Sequence, residues 1–101
     1  RDHPAPTATV TFPATAEAEG RARLEAHDEG TEVRLLATGL DEGDWYWLWL
    51  TGGDGDRVPA GTFRGTAGDV DVTLTSALSL EDARRIWVTD GDDEVVLDAR
   101  V

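Results

Sequence analysis

The sequence contains no cysteine, methionine, lysine, asparagine or glutamine among its 101 residues. Without cysteine there is neither a disulfide framework nor a thiolate metal site. With no methionine even at position 1, the expectation is a piece of a longer protein whose start lies upstream of Arg1. All nine basic residues are arginine, and that bias, together with abundant alanine, glycine and aspartate, suggests high-GC coding. No stretch approaches the roughly 18 apolar residues of a membrane span, and no signal-peptide pattern of basic, apolar and small residues is present. What the chain has in excess is acid. Its 21 Asp and Glu against nine Arg leave a formal charge of -12. A polyanion repels phosphate backbones and anionic lipid surfaces, which disfavours direct nucleic-acid or membrane-surface binding.

A chain of 10.9 kDa fits one domain that buries roughly two thirds of its unfolded surface. The opening RDHPAP holds two prolines and no periodicity, so residues 1–6 read as a flexible tether and 7–101 as a single domain. From Thr7 onward the pattern has period two. Ala8, Val10 and Phe12 alternate with threonines; Ala22, Leu24 and Ala26 alternate with charges; HDEG at 27–30 makes a hairpin turn into Val33, Leu35 and Ala37. VPAGTF at 58–63 is interrupted by Pro59 and Gly61, which suits an edge strand or a bulge. Val70, Val72 and Leu74 alternate with Asp and Thr, Ile86 and Val88 with Trp87 and Thr89, and Val95, Leu97, Ala99 and Val101 close the chain. SLEDARR at 79–85, with Ser79 and Asp82 in capping-box spacing, predicts one short helical turn. Seven or eight short strands separated by turns predict an all-β, antiparallel β-sandwich of immunoglobulin-like general architecture.

The segment DWYWLWL at 44–50 concentrates three of the four tryptophans. In a strand Tyr46, Leu48 and Leu50 line one side and Trp45, Trp47 and Trp49 the other. Neighbouring strands put aliphatics inward and polar groups outward, so the inner row is Tyr46, Leu48 and Leu50 and the indoles are surplus. Trp45, Trp47, Trp49 and Trp87 are therefore the candidate surface for a ligand or partner.

No catalytic constellation is legible. The hydroxyl and imidazole inventory is Ser76, Ser79, His3 and His27 beside the threonines, and none sits in a motif such as GxSxG. GGDGDR at 52–57 begins like a calcium-binding nonapeptide but has Arg57 at the required Asp. DGDDEV at 90–95 begins like an EF-hand loop but has Val95 at the turn glycine. No metal ligand and no cofactor is assigned, a weak loop-carboxylate calcium site staying open, and the chain reads as not an enzyme.

One family shares the order of features. GTEVRLLATGL, YWLWL, VPAGTF and IWVT follow one another here as in the extracytoplasmic C-terminal domain of the anti-sigma-K factor family, among the zinc-finger-type membrane anti-sigma factors of actinobacteria, which this chain resembles from about Ala22 to its end. The matched positions are Tyr46, Leu48, Trp49 and Leu50; Ala60, Gly61 and Phe63; and Ile86, Val88 and Thr89. The chain departs from the family pattern at Trp47, where a polar residue is usual, at LDEG, and at DGDDE after the Val-Thr. The resemblance implies a noncatalytic sensor or regulatory domain outside the bacterial membrane, anchored by an upstream helix. A cytoplasmic segment absent from this chain would hold a sigma factor, and regulated proteolysis would release it. The partner of the outer domain would then be a protein, a regulatory protease or a surface partner. The alternative is a cell-surface or secreted binding module that offers its tryptophans to a glycan or protein.

Overall fold

The computed structural model describes residues 6–15 and 18–101. His3 and all of the expected tether except Pro6 lie outside the described residues. Eight strands follow one another: β1 (Thr7–Phe12), β2 (Glu19–His27), β3 (Gly30–Thr38), β4 (Trp45–Gly52), β5 (Arg57–Arg64), β6 (Val70–Ser76), β7 (Ala83–Thr89) and β8 (Val95–Arg100). They form two antiparallel four-stranded sheets, ordered β1-β2-β3-β6 and β5-β4-β7-β8. Local hairpins make β1–β2, β2–β3, β4–β5 and β7–β8, whereas β3–β6 and β4–β7 join segments far apart in sequence. The chain thus changes sheet between β3 and β4, β5 and β6, and β6 and β7. Those two distant pairings are the B–E and C–F adjacencies of an immunoglobulin-like sandwich.

The period-two pattern works because each strand has one dry face. Leu24, Val33, Leu35, Leu48, Leu50, Ile86 and Val88 are fully buried between the sheets, with Phe12, Tyr46, Phe63, Val70 and Leu97 around them. A leucine removed from water contributes about 1.5–3 kcal/mol, so this interior is the main source of stability. Turns fix the register. Asp28 and Glu29 form a two-residue connection that leaves His27 opposite Gly30. Gly30 has φ 143° and a Cβ there would run into the Ser76 carbonyl oxygen, so the hairpin closes only with glycine. Gly65 is held equally closely: its N–H donates to the Asp44 carbonyl at 2.9 Å and its carbonyl accepts from the Gly43 N–H at 3.0 Å.

Two expectations change. Residues 79–85 do not form a helix. Ser79 starts a turn as its spacing suggests, its carbonyl accepting from the N–H groups of Asp82 and Ala83 at 3.1 Å each and its hydroxyl donating to the Asp82 carboxylate at 3.0 Å. The turn ends after 82 because Ala83 and Arg85 are taken into the β4 ladder opposite Gly52 and Thr51, and many strand hydrogen bonds outweigh a second helical turn. Val95 also leaves the inner row. A register shift at Val88/Thr89 puts Val95 opposite Thr89 while Leu97 faces Val88, so Val95 points outward and is 49% exposed. The interruption read at Pro59 and Gly61 is observed as an edge strand with a shift between Leu48 and Trp49, where Gly61 faces Leu48 and Pro59 faces Trp49.

Candidate functional site

The tryptophan strand β4 sits second in its sheet, with β5 on one side and β7 on the other, so both of its rows are framed by neighbours. The inner row is Tyr46, Leu48 and Leu50, at 3%, 0% and 0% exposure. Tyr46 stacks on Phe63 with centroids 5.7 Å apart, and its hydroxyl accepts from the Asp41 N–H at 2.8 Å. Burial pushes the Tyr46 phenol above its ordinary value, and the carboxylates of Asp41, Asp44 and Asp90 push in the same direction against the effect of that backbone hydrogen bond.

The outer row divides the indoles into two groups. Trp49 and Trp87 face each other across β4 and β7 and stack with centroids 5.8 Å apart at 26°. Each indole N–H donates to a threonine on the opposite strand: Trp49 Nε1 to Thr89 Oγ1 at 3.0 Å, and Trp87 Nε1 to Thr51 Oγ1 at 2.8 Å. Guanidinium groups cover the pair. Arg57 lies 4.6 Å from the Trp49 centroid and 5.9 Å from that of Trp87, and Arg85 lies 4.5 Å from Trp87. Arg85 is fixed by two hydrogen bonds of 2.7 Å to the Asp98 carboxylate. That charged fork, with a smaller opposing effect of burial, holds the Asp98 carboxyl below its usual range and raises the Arg85 guanidinium. Trp87 is consequently buried although it stands on the outer side of the sheet.

Trp45 and Trp47 are the open group. Trp45 is 49% exposed with Arg64 4.9 Å from its ring. Trp47 is half-buried between Thr62 and Thr89, and beyond Thr89 stands Val95, also 49% exposed. The two large hydrophobic side chains most open to water thus occupy one face of one sheet. The surface is aromatic along β4 and bordered by arginine.

The other candidate groups are engaged locally. Ser76 Oγ accepts from the Leu78 N–H at 3.2 Å. In the 52–57 turn, Asp54 Oδ1 accepts from the Asp56 N–H at 3.1 Å; in the 90–94 turn, Asp90 Oδ1 accepts from the N–H groups of Asp92 and Glu94 at 2.9 and 3.0 Å. Both acidic runs therefore spend carboxylates on closing their own turns. His27 Nε2 is 3.1 Å from Glu25 Oε2 and 3.8 Å from Glu32 Oε2, and one ligand atom from each of the three lies within 4.8 Å of the others. This partly exposed trio is the one group among the described residues whose spacing could hold a cation. The signal was present in the sequence: once Asp28 and Glu29 are the turn, Glu25 and His27 share a face and Glu32 falls opposite Glu25.

No protein-family model matches the chain, and no curated protein or solved structure matches it significantly.

Proposed function

We propose that this chain is a noncatalytic recognition domain, the extracytoplasmic regulatory part of a membrane-anchored anti-sigma factor, and that it engages its partner through the outer face of the β5-β4-β7-β8 sheet. One observation carries the use of that face: Trp45 and Val95, each 49% exposed, lie on it together with the half-buried Trp47. Covering the open half of one indole removes on the order of 100 Å² of apolar surface from water, about 2.5 kcal/mol before the cost of association. The anti-sigma assignment is supported by the resemblance of the β4, β5 and β7 motifs, whose residues Tyr46, Leu48, Leu50, Ala60, Phe63, Ile86 and Val88 are all core positions. In that setting the domain sits outside the membrane and governs access of a protease, while a separate segment holds the sigma factor.

The test is made in the full-length protein. Replacing Trp45 and Trp47 together by Ala is expected to change the rate of signal-dependent sigma-factor release at unchanged protein abundance. Release identical to that of the parent protein overturns the reading, and so does a full coding sequence lacking a membrane span upstream of Arg1. The second reading, a surface module that offers its tryptophans to a glycan or protein ligand, is favoured by Trp45 and Trp47 standing two residues apart on one strand and opening on the same face. Titration with cell-wall fragments, followed by tryptophan fluorescence in the parent and in Trp47→Ala, distinguishes it; a fluorescence response insensitive to that substitution counts against the platform.

A further inference from the structure

The recognition face has a charge opposite to that of the molecule. The chain carries -12 overall, yet the outer face of the second sheet holds Arg57, Arg64, Arg85 and Arg100. Among the paired strand residues on that face the carboxylate is Asp98, on the edge strand β8, and it is already committed to Arg85 through both oxygens. Arg57 has a single ion pair, 4.0 Å from the well-exposed Asp93, and the Arg64 guanidinium has no hydrogen bond or ion pair among the described residues. The Arg57 and Arg64 guanidinium groups therefore sit over indoles, Arg64 with its N–H donors unengaged among the described residues and Arg57 with only the long contact to Asp93. A guanidinium in that state is preorganised for a carboxylate, which it can grip through two parallel hydrogen bonds.

The spacing is equally specific. Arg57 is carried over Trp49 and Arg64 over Trp45, and Trp47 between them has no arginine over it. Trp45 and Trp49 are four residues apart on one strand, about 13 Å at the usual rise, with Trp47 halfway. The order along β4 is thus cation, bare indole, cation, at the two-residue period of an extended polypeptide. We infer that the face binds an extended acidic peptide segment of another protein, carboxylates at its positions i and i+4 meeting Arg64 and Arg57 and an apolar side chain at i+2 lying on Trp47. This rests on the recognition-face reading and adds the chemistry of the partner.

The experiment titrates the 101-residue chain with the blocked peptide Ser-Glu-Thr-Val-Thr-Glu-Ser, following tryptophan fluorescence and backbone amide shifts. Two control peptides carry Gln for both Glu, or Ser for Val. The expected result is saturable binding, with amide shifts confined to β4, β5 and β7. Affinity should fall roughly tenfold for each arginine–carboxylate pair removed, whether by the Gln peptide or by Arg64→Gln, and fall in Trp47→Ala. Because the control peptides leave the protein untouched, the answer does not depend on how the variants fold. Equal binding of the Glu and Gln peptides overturns the inference, as does no binding of either. A neutral chitin oligosaccharide or an acidic galacturonate oligosaccharide is titrated in parallel. If a sugar binds in a Trp47-dependent way and the Glu peptide does not, the acidic-peptide inference fails and the recognition face survives. If none binds and the Trp45, Trp47 double variant leaves sigma-factor release unchanged, both fail.

Discussion

Leu48 has no exposure and packs between the sheets opposite Val88, while its neighbour Trp47 looks outward over Thr62 and Thr89. Leu48→Ala is expected to cost about 2–5 kcal/mol through lost transfer energy and a residual cavity, and Trp47→Ala much less. Denaturant midpoints of the two variants check this, and the reverse ranking would mean that the faces have been exchanged. Trp87 and Trp45 make a less obvious pair, because both stand on the outer side. Trp87 is 8% exposed, stacked on Trp49, bonded to Thr51 and covered by Arg85, whereas Trp45 keeps half its surface in water. Trp87→Ala should therefore cost about 3–5 kcal/mol, like a core truncation, and Trp45→Ala less than about 1 kcal/mol. Thermal unfolding of the two variants measures the difference. Equal losses would show that the arginine and threonine framework around Trp87 contributes little. Of the four indoles proposed from the sequence as a contact surface, two are thus built into the sheet, and residue type alone could not separate them. The separation depends on register, since only the pairing of Trp49 with Trp87 brings each N–H to the other strand's hydroxyl.

At the scale of strands, alternation assigns the inner and outer face of each segment, and this is why the eight strands and most core positions were legible. It does not say which strand lies beside which. The β3–β6 and β4–β7 ladders were invisible for that reason, and with them the capture of residues 83–85, which converted an expected helical turn into the start of β7. The Arg85–Asp98 fork between β7 and β8 is another product of pairing, since Trp87 faces Asp98 and Arg85 faces Arg100. Its effect on stability follows from the depressed Asp98 carboxyl. A carboxylate whose folded value lies below its unfolded value stabilises the fold above the unfolded value, and that contribution is lost as pH falls through the folded one. The window therefore opens near the ordinary 3.8 and extends downward. Asp98 is 45% exposed at its side chain, so water screens the pair and the effect is modest. Asp98→Asn is expected to lower stability at neutral pH and to flatten the acid decline below pH 3.8; acid titrations of the parent and variant followed by circular dichroism test this. Parallel curves offset by a constant amount would remove the ionic contribution and leave only the packing of Arg85 on Trp87.

The whole molecule is compact, with a radius of gyration of 13.1 Å, and the chain carries a formal net charge of -12. Charge of that density repels itself, and the repulsion is screened over about 10 Å at 0.1 M salt. Compactness and charge therefore set the global response: sodium chloride should raise the denaturation midpoint by weakening repulsion throughout the chain. The arginines over Trp45, Trp49 and Trp87 respond in the other direction, because a carboxylate brought to them is attracted, and screening weakens attraction as well. The same rise in salt that stabilises the fold should thus weaken capture of an acidic segment. Opposite signs are informative here since a single nonspecific effect of salt, such as strengthened apolar burial, would move both quantities upward. Midpoints and peptide affinities measured across 0.05 to 0.5 M sodium chloride on one preparation decide between them. If binding strengthens along with stability, the contact is apolar and the local positive field has no part in it; if stability falls while binding weakens, the ion pairs outweigh the global repulsion, namely Arg85 with Asp98 and, between β3 and β6, Arg34 with Asp71 at 2.8 Å.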